Sequence, residues 1–88
     1  MNGAQLIAQE RRRQVKEEGF DDGHDNASCP MFLAAAGSCY ATVGNVGKAA
    51  KVPYAWPWGF EQWKPSDDPI RNLVKAGALI AAEIDRMQ

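Results

Sequence analysis

The chain is short of cysteine, histidine, net charge and long apolar runs, and each shortage removes a class of protein. Its two cysteines, Cys29 and Cys39, fall below the four or more that staple secreted domains of this size. Read as positions on one helix they stand about 15 Å apart, out of disulfide reach, so reduced thiols are expected. Ten Lys+Arg against eleven Asp+Glu give a net charge of −1, without the basic excess of a general nucleic-acid binder. No direct contact with nucleic acid is therefore expected. The single histidine, His24, makes no zinc pattern. The longest apolar stretches, Met31 to Gly37 and Ala76 to Ala82, are far below the roughly 20 residues that cross a bilayer. The opening residues, which lead into Arg11-Arg12-Arg13, contain no signal-peptide core. A cytoplasmic protein without membrane contact is the expectation. Strand-like alternation is missing as well, which excludes a sheet.

What remains is 88 residues, 45% apolar and 24% charged, the balance of one small globular domain spanning 1–88. Asn2 and Gln5 have capping-box spacing, and residues 3 to 18 contain no proline, so a first helix is predicted there. Ala4, Ile7, Ala8 and Val15 mark its apolar face, with Arg11 interrupting it. Arg11 either snorkels to solvent or turns its head into a pocket beside Glu10 or Gln14. Ser28 is placed to cap a second helix with Pro30 in its first turn and Gly44 and Gly47 closing it. A third begins after Ser66-Asp67-Asp68-Pro69, with Ile70, Leu73, Gly77, Ile80, Ile84 and Met87 as its expected buried stripe. The predicted fold is an all-α compact bundle of helices over about 3–18, 28–43 and 68–87, with an aromatic, proline-rich connection between the second and third.

That connection holds Tyr54, Trp56, Trp58, Phe60 and Trp63, five of the chain's eight aromatics, among Pro53, Pro57 and Pro65. Trp56 and Trp63 are read first as core volume for alanine-rich helices, Trp58 less so. The functional alternative gives Trp56 or Trp58 an indole face on which a planar base stacks, with Lys64 and Arg71 meeting phosphate. Arg71 also falls in the first turn of the final helix, whose positive end favours anions. Lys64 and Arg71 are expected to be dispensable for folding. Between the first two helices, Glu17-Glu18 and Asp21-Asp22-Gly23-His24-Asp25 form an acidic turn whose spacing fits neither an EF-hand nor a zinc site. His24 and Asp25 are candidates for orienting polar ligand edges, and Arg12 and Arg13 are read as solvated. No metal, no cofactor and no catalytic residue is assigned. A helical nucleoside-triphosphate pyrophosphatase is matched only by Glu17-Glu18, because the spacing of Glu83 and Asp85 puts these carboxylates on different faces.

Residues 4 to 14 (Ala-x-Leu-Ile-Ala-x-Glu-Arg-x-Arg-Gln), Glu17 to Phe20, His24-Asp25, Trp56-Pro57-Trp58, Trp63-Lys64-Pro65 and Arg71 to Ile80 together resemble a family of small uncharacterised proteins of bacteriophages and prophages. Where that family carries a longer acidic-histidine turn, this chain has Asn26-Ala27-Ser28-Cys29, which argues against a metal role. The resemblance implies an accessory protein that counters host defence. The leading expectation is sequestration of an anionic, nucleotide-type ligand by Arg11, His24, Asp25, Trp56, Trp58, Lys64 and Arg71. Its rival is a protein–protein inhibitor of a host defence complex acting through the aromatic loop and acidic turn. A metal-dependent nucleotide hydrolase resting on Glu17, Glu18 and His24 stands third. A chain with so small a core is also expected to form a homodimer or higher homo-oligomer, with Ala76, Gly77, Ala78, Ala81 and Ala82 letting helices pack closely.

Overall fold

Asn2 and Gln5 close the amino end of the first helix reciprocally in a computed structural model that describes residues 1–18, 31–43 and 46–88. The Gln5 N–H donates to Asn2 Oδ1 at 2.8 Å, and the Asn2 N–H donates to Gln5 Oε1 at 2.9 Å. This is a capping box, and α1 runs Gly3–Glu18 as its composition predicts. The second helix, α2, spans Phe32–Thr42 and starts later than Ser28. Met31 precedes it with φ 79°, a left-handed backbone that a right-handed helix cannot contain. Ser28, Pro30 and Gly44, the expected cap, first-turn proline and stop, lie outside the described residues. Asp68 accepts a hydrogen bond from the Ile70 N–H at 3.0 Å and caps α3, Pro69–Met87, with Pro69 in its first turn.

Among the described residues there is no strand, and the fold is an all-α three-helix bundle in which α3 packs against both α1 and α2. The molecule is a slab of 33 × 32 × 19 Å. Its core joins Leu33, Ala36, Cys39 and Tyr40 of α2 to Ala76, Leu79 and Ala82 of α3. Trp56 and Trp63 fill the space that alanines leave, and Trp63 Nε1 donates to Ala50 O at 3.0 Å. The connection between α2 and α3 carries two short 3-10 turns, Gly47–Ala49 and Phe60–Gln62. Gly47 does not stop α2. It adopts φ 82° in the first of these turns, where a Cβ would meet Asp67 Oδ1 at 2.8 Å. The Lys48 N–H donates to that same oxygen at 2.9 Å, so the turn is tied to the leader of α3.

Two helix faces differ from expectation. On α1 the buried positions are Glu10 and Gln14, whereas Ala4, Ala8 and Val15 are exposed. On α3 the buried side carries Asn72, Val74, Ala76, Ala78, Leu79, Ala82 and Glu83. The large stripe residues Ile70, Leu73, Ile80, Ile84 and Met87 are exposed. The reason is close packing: a helix gripped from two sides turns its small residues toward its neighbours, because alanine lets helix axes approach. Asn72 has no exposed surface and grips the leader twice. Its Oδ1 accepts from the Ser66 N–H at 2.7 Å, and its Nδ2 donates to Ser66 O at 2.8 Å.

Candidate functional site

A buried carboxylate must be neutralised or discharged, and Glu10, only 1% exposed on α1, is neutralised twice. Arg13, one turn along the same helix, donates from Nε to Glu10 Oε1 at 2.9 Å and from Nη2 to Oε2 at 2.7 Å. Arg71, in the first turn of α3, donates from Nη2 to Glu10 Oε1 at 2.5 Å. Burial pushes the Glu10 carboxyl up, but hydrogen bonds and charge from Arg13 and Arg71 outweigh it and hold the group below its ordinary value. Glu10 is therefore an anion between two guanidinium groups, and the three together carry one positive charge.

Gln14 follows one turn further on and is 3% exposed. Its Nε2 donates to Glu10 Oε2 at 3.2 Å. Its Oε1 is buried and accepts no hydrogen bond from any described residue. Such an atom is uncommon, because an unpaired buried acceptor costs about 1–3 kcal/mol.

Glu10, Arg13, Gln14 and Arg71 form one wall of a cleft of about 570 Å³, a volume suited to a small organic ligand. Tyr40, Trp56 and Trp58 supply the aromatic part of its lining. Tyr40 lies 4.7 Å from Trp63 and meets Trp56 edge-on at 5.6 Å. Trp56 is buried, meets both Trp58 and Trp63 edge-on, and donates from Nε1 to Gly59 O at 3.1 Å. It is a supporting ring, and the half-buried Trp58 lines the cleft beside it. The rim holds Gln62, Lys64, Ser66 and Lys75. Lys75 Nζ donates to Lys64 O at 2.8 Å and lies 5.4 Å from the Tyr40 ring centroid. Four cationic side chains, Arg13, Lys64, Arg71 and Lys75, thus face the single carboxylate of Glu10 among the lining residues. A more open depression of about 480 Å³ lies on the other flank of the Glu10 cluster, with Gln9, Arg12 and Lys16 along it.

Of the residues singled out in the sequence, Trp56, Trp58, Lys64 and Arg71 meet in the cleft. Arg11 does not. It is half-buried and reaches from α1 to Asp85 of α3, Nε to Oδ2 at 3.3 Å, so it links helices. Asp68 caps the helix end at which Arg71 stands, and Arg71 pairs with Glu10 while lining the cleft. Arg13 is at the cleft and not in a solvated face. His24, Asp25 and the rest of the acidic turn from Gly19 lie outside the described residues. Glu17 is exposed and pairs with Arg13 at 3.3 Å. Glu83 and Asp85 pair with different arginines, Arg86 and Arg11. Among the described residues no three His, Cys, Asp or Glu side chains form a metal-binding group, and no helix is long and apolar enough to cross a membrane.

Glu10 and Gln14 enter the sequence reading only as neighbours of an inward-turned Arg11, and Gln62, Ser66 and Lys75 were not singled out as site residues. The signal for the first two was the weak apolar stripe on α1: a helix with so few large apolar residues needs another reason to pack, and Glu10, Arg13 and Gln14 recur at its i, i+3, i+4 spacing. Comparison with protein-family models, curated proteins and solved structures returns no match.

Proposed function

We propose that the cleft binds a small anionic ligand of the nucleotide type and holds it without a chemical step. The observation that carries this reading is a cleft lined by four cationic side chains against one carboxylate, with Tyr40, Trp56 and Trp58 beside them. A simple inorganic anion meets the cations but leaves the aromatic lining uncovered. A nucleotide brings both complements, phosphate for Lys64 and the cationic rim and a planar base for the aromatic lining to which Trp58 belongs. In the phage setting that the sequence resembles, such a protein acts by sequestration, denying a host defence system its nucleotide signal.

A second reading has one observation of its own: on the aromatic loop Tyr54 is fully exposed and Phe60 largely so, and tyrosine is among the residue types that anchor protein–protein interfaces. Calorimetry and tryptophan fluorescence over a panel of linear and cyclic nucleotides separate the two. The cleft reading expects saturable binding with altered Trp58 emission, weakened by Lys64→Ala and untouched by a Tyr54→Ala/Phe60→Ala double change. No binding by any nucleotide at millimolar concentration removes it. Recovery of unchanged nucleotide after incubation with magnesium separates holding from hydrolysis.

A further inference from the structure

Ile70, Leu73, Gly77, Ile80, Ile84 and Met87 follow one another at steps of three and four along the whole of α3. That alternation is the a and d pattern of a helix that interlocks with another helix. Here the seam faces outward. Its five large side chains are between 41% and 71% exposed, while the alanines of the same helix are spent on α1 and α2. The neighbouring helices cover its middle at Gly77 and one side of Ile80 and leave Ile70, Leu73, Ile84 and Met87 the more open. Ile7 of α1 lies over Gly77, where a Cβ would come within 2.5 Å of the Ile7 Cδ1, and Ile80 leans over Gly37 of α2.

We infer that a second copy of this chain docks on this stripe, forming a two-fold dimer through α3. Three observations select a copy as the occupant. The spacing is self-complementary, since each helix supplies knobs of the size that the other's holes accept. No charged side chain stands on the stripe, and the acids that border it, Glu83 and Asp85, are each paired within the chain to Arg86 and Arg11. Two copies therefore meet without unpaired like charges, and an acidic or basic partner finds no complement. The five side chains leave on the order of 500 Å² open, at the upper end of what a monomer displays, and two copies pool about 1,000 Å², the lower bound of a specific interface. Arg71, Lys75 and Leu79, which line the cleft, project from the other side of α3, so dimerisation leaves both clefts accessible. The inference is independent of what the cleft binds.

Light scattering on the full chain tests it. The expected mass is twice 9.6 kDa at tens of micromolar, with a melting temperature that rises with protein concentration. The double variant Leu73→Glu/Ile84→Glu is expected to give the monomer mass with its helical circular dichroism retained, because neither side chain belongs to the core of its own chain. Should that variant unfold, Leu73→Ala/Ile84→Ala serves in its place and is expected to raise the dimer dissociation constant at least tenfold. A monomeric wild-type chain at about 100 μM overturns the inference, whatever else covers the stripe. So does a dimer whose dissociation constant neither variant changes.

Discussion

Glu10 ties the cleft to the fold, since its carboxylate holds Arg13 of its own helix and Arg71 of α3 at once. Because its folded pKa is depressed, its ionised form contributes stability that is complete above the ordinary carboxylate range and is lost as pH falls through that range and below it. Glu10→Gln removes the contribution. The stability gap between wild type and this variant, measured by thermal melts from pH 7 to pH 3, is expected to close toward the acid end; a constant gap refutes the ion cluster. Arg71 and Lys64 behave differently at the same scale. Lys64 is exposed at the rim, and Lys64→Ala is expected to change stability by less than about 0.5 kcal/mol while weakening ligand affinity by about 1.5–3 kcal/mol. Arg71→Ala strips one partner from a buried carboxylate and is expected to lower stability by about 1–3 kcal/mol as well as affinity. Paired calorimetric titrations and melts of the two variants check the contrast.

At the scale of the element, α3 has two lives. Its alanine-rich side packs against two helices, and its large aliphatic side faces out. Leu79, 3% exposed, belongs to the first and Leu73 to the second. Leu79→Ala is expected to cost about 2–5 kcal/mol through the cavity it leaves. Leu73→Ala, in dilute protein where the chain is monomeric, is expected to cost less than about 1 kcal/mol, the usual consequence of an exposed change. Urea denaturation of both variants at low micromolar concentration reads the difference. Equal costs would mean that Leu73 is covered within its own chain. Asp68 and Asn72 fix where this helix begins, one by capping the Ile70 N–H and the other by holding Ser66, so the rim residues just before it are carried by α3 itself.

Across the whole molecule, aromatic residues of the connection do what the helices alone do not, since a slab built on alanine contacts has little apolar volume. Trp63 closes the core against Tyr40 and Trp56 and satisfies its indole N–H on Ala50 O. Trp63→Ala is expected to cost about 3–5 kcal/mol, a large fraction of the margin of so small a domain. The loss should appear as a collapsed near-ultraviolet dichroism signal together with a lowered denaturation midpoint. An unaltered midpoint would place the ring outside the core. Because Tyr40 and Trp56 also wall the cleft, ligand binding and overall stability are coupled through this cluster.

The sequence placed two of the helices through local signals: the Asn2–Gln5 box and the Asp68-Pro69 start mark where α1 and α3 begin, and both run where those signals put them. It also supplied four cleft residues, Trp56, Trp58, Lys64 and Arg71, through the crowding of indoles and cations along one stretch of chain. Which face of each helix lies inside was settled by packing between elements. Periodicity marks a stripe of large apolar residues on α3 but does not say whether the partner is this chain's own α1 and α2 or something beyond it, and close packing turned the alanines inward instead. The same step decided the site. Glu10 and Gln14 read in a linear pattern only as neighbours of an inward-turned Arg11, and Arg71 as a cation reaching solvent or ligand. Their meaning comes from a contact between residues 61 apart in sequence, where burial makes a carboxylate's pairing obligatory and leaves Gln14 Oε1 without a described donor.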